Sequence, residues 1–128
     1  MPAWNEYKET ARGRGALAFE LYVVESTPAA PPEELQATLP AHLAYQRQME
    51  AEGKLFLAGP LSDPTGEQMM GSGLIIYRAQ SMEEAKSFAN SDPMHSEGKR
   101  SYTLRKWLVN EGSPSFSTAL SGQKITLS

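Results

Sequence analysis

Between residues 16 and 110 the apolar residues switch repeatedly between a two-residue and a 3.6-residue period, and the order of those switches is what most limits the fold. The stretch ALAFELYVVE (16–25) is rich in aromatic and β-branched residues, and alternation puts Phe19, Leu21 and Val23 on one face with Glu20, Tyr22 and Val24 on the other. Both faces are partly apolar, so both are expected to be covered. The prolines of STPAAPP mark a loop. A helix follows. Proline breaks a backbone bond inside a helix, so the main helix is expected to start near Thr38 with Pro40 in its first turn, and to end at Gly53, a C-cap residue.

KLFLAGP then reads as a short strand closed by Gly59 and Pro60, and the turn-rich SDPTGEQMMGSG leads into another strand, GLIIYRA (73–79). Ser81 and Glu84 stand at capping-box spacing, and Met82, Ala85, Phe88 and Ala89 form one stripe of a second helix. SYTLRKWLVN (101–110) is the last clear strand. The order βα-ββα-β predicts an α+β, ferredoxin-like sandwich: a four-stranded antiparallel sheet with two helices on one face. Apolar residues on the helix-free face imply a second subunit packed sheet to sheet, hence a homodimer or a larger oligomer. Residues 1–15 read as a polar extension with one helical turn around Trp4 to Thr10, and 111–128 as a Ser/Gly-rich tail with a short strand at KITL.

The bulk properties narrow the functional classes. At 128 residues the chain is one ordinary domain, able to bury a core without a structural metal. It has no cysteine, which removes disulfides, thiolate catalysis and Cys-based metal sites. The net charge of −3 is mild and the 12 basic residues are scattered, so no nucleic-acid partner is expected. No segment approaches the roughly 18 apolar residues of a membrane span, and the N-terminus lacks a signal-peptide core; the expectation is a soluble, cytoplasmic protein.

Two histidines are present, and His42 falls inside the apolar arc of the first helix with Leu35, Leu39, Leu43 and Met49, close to Tyr45 and Gln46. It should therefore face the sheet. A buried imidazole needs partners for its ring nitrogens, supplied either by a backbone carbonyl or Tyr hydroxyl in a purely structural role, or by a functional partner. Asp92 precedes Pro93, the pattern of an N-cap before a short helix, with the carboxylate accepting from Met94 or His95. A carboxylate has lone pairs enough to cap and to meet an imidazole as well. His95 lies in the polar HSEGKR and reads as part of a solvated turn. Gly59 and Pro60 shape a strand end and are candidates to line a pocket with Ser72 and Tyr45. Ser72, in GSG, reads more simply as a flexible turn. No metal-ligand spacing is evident.

Taken together, PAHLAYQRQMEAEGKLFLAGPL, SMEEAKSFANSDPM and LRKWLV resemble the YciI-like family of the dimeric α+β barrel superfamily, over about residues 16 to 110. The markers are the helix histidine, the AGP after the following strand and the DP after the second helix. The resemblance implies a ferredoxin-like subunit, a dimer and a His–Asp pair in a cleft, which here are His42 and Asp92. It also implies cofactor-independent acid–base chemistry on a small organic molecule, either elimination of the dehydrochlorinase type or isomerisation. Many relatives carry a basic residue three places before the helix histidine, where this chain has Leu39. An enzyme of this kind needs no cofactor, because a histidine gives and takes protons near neutrality. A non-catalytic small-molecule binding protein is the alternative, and the fold does not separate the two.

Overall fold

The computed structural model describes residues 1–128, and contacts between Cα atoms divide the chain into two compact units: residues 20–107, and residues 1–19 with 108–128. The first unit holds nearly all of β1 (Phe19–Pro28), then α2 (Pro32–Ala51), β2 (Leu55–Ser62), β3 (Met69–Tyr77), α3 (Met82–Ser91), the short α4 (Pro93–Ser96) and most of β4 (Arg100–Val109). Four strands form one antiparallel sheet in the order β2-β3-β1-β4, the ferredoxin-like topology expected from the order of periods.

The helix-facing side of the sheet decides where the cavity is. Along the β1–β3 register the facing pairs are Tyr22 with Tyr77, Val24 with Ile75, and Ser26 with Gly73. Side-chain volume therefore shrinks from two tyrosines to a serine and a glycine over four residues. At the large end Tyr22, Val24, Ile75 and Tyr77 pack with Met49 of α2 and Ala85 and Ala89 of α3. Burying each of the larger side chains stabilises the fold by about 1.5–3 kcal/mol. At the small end the layer between sheet and helix is left unfilled. On the opposite face Leu21 and Ile76 are buried, whereas Leu57 and Trp107 are exposed.

Several boundaries differ from the sequence reading. α2 begins six residues before Thr38, because Pro32 occupies N1, where its missing N–H costs nothing, and Pro40 is accommodated inside the helix. The carbonyl that Pro40 leaves unpaired belongs to Gln36, which is exposed and open to water. The helix ends as expected: Gly53 has φ +74°, and bonds from Gly53 N to Glu50 O and from Lys54 N to Met49 O close a Schellman motif. β2 runs on through Gly59 and Pro60 to Ser62, which an edge strand permits since proline needs no ladder donor on its free side. β3 starts at Met69, so Ser72 lies in a strand and not in a flexible turn.

α3 is capped as its sequence requires: Ser81 Oγ accepts from Glu84 N at 3.1 Å, and Glu84 Oε1 accepts from Gln80 N at 3.0 Å.

In the second unit α1 (Trp4–Gly13) is a helix of 10 residues, longer than the single turn expected. The tail forms a hairpin of β5 (Phe116–Ala119) and β6 (Lys124–Leu127), the latter being the KITL strand.

Candidate active site

His42 sits mid-way along α2, on the stripe formed by Leu35, Thr38, Tyr45 and Met49, while Leu39 and Leu43 are each 40% exposed on the helix flank. Helical spacing carries the ring over the small end of the sheet. Its Nδ1–H donates to both oxygens of Asp92, at 2.9 and 2.8 Å. A carboxylate only accepts, so the proton is on Nδ1 and the neutral ring keeps its lone pair on Nε2. Onto that lone pair the amide of Gln46, one helical turn on, donates at 2.5 Å.

Asp92 is fully buried. It is held there because it is also the N-cap of α4: Oδ1 accepts from Met94 N at 3.0 Å, and Pro93 at N1 fixes the first turn. One carboxylate thus caps a helix and orients an imidazole. This satisfies a buried charge that would otherwise cost several kcal/mol.

The ring of His42 lines a cavity of about 440 Å³, within the usual size of small-molecule sites. Gly59, Pro60 and Ser72 line it too, as do Leu39 and Leu43. Tyr45 does not: its hydroxyl donates to Phe88 O at 2.6 Å beneath the helix, and burial, with Asp92 nearby, pushes its pKa up to about 12. Gly59, Gly71 and Gly73 bring bare backbone to the cavity lining. Gly71 has φ +92°, and a Cβ there would stand 2.6 Å from Pro28 Cγ, so no larger residue fits without displacement.

A second cluster adjoins the first. His95 donates from Nδ1 to Ala89 O at 2.8 Å, and Ser26 Oγ donates to its Nε2 at 2.9 Å. Ser26 Oγ accepts in turn from Arg100 Nε at 2.8 Å. Arg100 Nη2 donates to Ser26 O at 2.9 Å and to Gly71 O. Far from being a solvated turn residue, His95 is half-buried, and burial lowers its pKa. Ser26 and Arg100 both line the cavity. Neither was singled out in the sequence, although each had a signal: Ser26 continues the Tyr22, Val24 alternation and Arg100 the Tyr102, Leu104 alternation.

The fold and the site define a ferredoxin-like domain with a histidine–carboxylate pair at the edge of a small cavity. Residues 18–108 match the YCII-related domain, and the chain belongs to that family. It is 31% identical over 76 residues to the uncharacterized protein YjpA of Bacillus subtilis (strain 168), a match covering 59% of this chain and 82% of that protein. Among solved structures it is similar to 5-chloro-2-hydroxyhydroquinone dehydrochlorinase (TftG) from Burkholderia phenoliruptrix AC1100, in complex with 2,5-dihydroxybenzoquinone. That match has a TM-score of 0.51 and 29% identity over 68% of this chain and 92% of that chain. No helix of the chain is long and apolar enough to cross a membrane.

Proposed function

We propose that the chain is a cofactor-independent enzyme of acid–base chemistry on a small organic molecule, with His42 as the proton-transferring group and Asp92 as its orienting partner. One observation carries this reading: Nδ1 of His42 is committed to a buried carboxylate while the unprotonated Nε2 belongs to a ring that lines the cavity. Once the Gln46 amide that donates to Nε2 turns aside, Nε2 takes a proton from a bound molecule and Asp92 stabilises the imidazolium that forms. The electron pair left on the substrate then expels a leaving group, as in dehydrochlorination, or shifts a double bond before the proton returns, as in isomerisation. Gly59, Pro60 and Ser72 contribute the cavity wall against which the substrate lies. The likeness to a dehydrochlorinase favours elimination from a chlorinated hydroxyhydroquinone as the first reaction to try. Leu57 and Trp107, exposed on the helix-free face, support a homodimer through that face.

The test is chloride release from 5-chloro-2-hydroxyhydroquinone by the parent protein and by His42→Asn. The expected result is turnover by the parent, lowered by about 10²–10⁴ in the variant, the usual contribution of a positioned proton-transfer group. Equal rates would remove His42 from the chemistry, and binding without product in both proteins would favour the binding-protein reading.

A further inference from the structure

Arg100 is the only lysine or arginine among the residues lining the cavity. It is half-buried, and all three of the groups it bonds are neutral: the Ser26 hydroxyl and the carbonyls of Ser26 and Gly71. A guanidinium has five N–H donors in a planar fork. These bonds use Nε–H and the two N–H groups of Nη2, so the pair on Nη1 is left for a ligand. Asp92 is the acidic group that acts on Arg100 through space, but its oxygens are already taken by His42 and Met94 N. The cation is therefore fixed in place and incompletely compensated.

We propose that Arg100 is the anion-binding residue of the cavity, and that the molecules the cavity takes carry a carboxylate or an ionised phenolic or enolic oxygen on a largely apolar body. The oxygen docks on the guanidinium fork, where a charge-assisted bond is stronger than a neutral one. The body lies against Leu39, Leu43, Ile75 and Met94, which face the same space. His95 has a part as a positioning residue: by accepting from Ser26 it turns the serine lone pairs toward Arg100 Nε, so the fork is held before the ligand arrives. Burial lowers the pKa of Arg100, consistent with a charge short of compensation.

This inference rests on the cavity being the ligand site proposed above, but not on His42 acting as a base, and the experiment separates the two. Benzoate and benzamide, alike in shape and different in charge, are titrated into the full chain and followed by NMR. The parent is expected to bind benzoate about tenfold or more tighter than benzamide, the scale of one charge-assisted hydrogen bond. The Arg100 Nε–H resonance should move with benzoate alone. Arg100→Gln, which keeps donors for the carbonyls but no charge, should erase the preference, and Arg100→Met should do the same. His42→Asn should keep the preference even where it abolishes turnover. Equal affinity of the parent for the two probes, no saturable binding of either at millimolar concentration, or an undiminished preference in Arg100→Gln would overturn the proposal. If neither variant folds, the parent resonance decides it: an Arg100 signal that benzoate leaves unmoved would refute it.

Discussion

The surroundings of His42 and His95 use the same ring in the same tautomer for different ends. In both, Nδ1–H is fixed by an acceptor and Nε2 is a hydrogen-bond acceptor. At His42 the fixing group is a buried carboxylate, and the ring borders the cavity. At His95 the fixing group is a neutral carbonyl, and Nε2 is occupied by the Ser26 hydroxyl as that of His42 is by the Gln46 amide. A carboxylate is matched to a ring that gains charge, whereas a carbonyl suits a ring that stays neutral. Under the proposed function, the acceptor on Nδ1, more than the histidine itself, separates an acid–base group from a scaffold.

The largest effect that would break this contrast is on Asp92. Asp92→Ala leaves the His42 Nδ1–H and the Met94 N–H without their acceptor, and should lower stability by about 2–4 kcal/mol in urea denaturation. Asp92→Asn can still cap α4, so it should recover part of that loss while still impairing the proton transfer proposed for His42. Equal stability of Asp92→Ala and the parent would mean that the carboxylate is not structurally shared between helix and imidazole. Next in size is Ser26→Ala, which orphans His95 Nε2 and Arg100 Nε together. The expectation is a loss of about 1–3 kcal/mol by the same measurement. A neutral result would show that the second cluster is not a scaffold.

The smallest effect concerns pH. Burial depresses the pKa of His95 below the ordinary value near 6.5, so the fold favours the neutral ring. Its contribution to stability is present above that ordinary value and is lost as pH falls through the lower folded value. Stability of the parent should therefore decline more steeply on acidification below about pH 6.5 than that of His95→Gln. Parallel curves for the two proteins would assign the decline to other groups.

Much of the frame was legible in the sequence because it is written in local terms. Ser81 with Glu84, Asp92 with Pro93 and Gly53 after α2 each specify a helix end through bonds spanning only a few residues. Pro40 alone does not mark the start of α2, because its missing donor is tolerated inside the helix while Pro32 supplies a better start upstream. The placement of His42 on the inner stripe followed from helical period. The inner alternations were there to be read as well, but Ser26 lay just beyond the expected end of β1 and Arg100 just before the expected start of β4.

The order of strands and helices, the inward face of α2 and the cap at Asp92 each depend on spacing along one segment, so local sequence sets them. Tertiary structure alone decided which groups meet: His42 with Asp92 across 50 residues, and Ser26 with Arg100 across 74. The cavity, too, exists only through register. Ser26 opposite Gly73 leaves a gap under the helix, and a shift of one residue in that pairing would turn the small side chains to the other face and fill it.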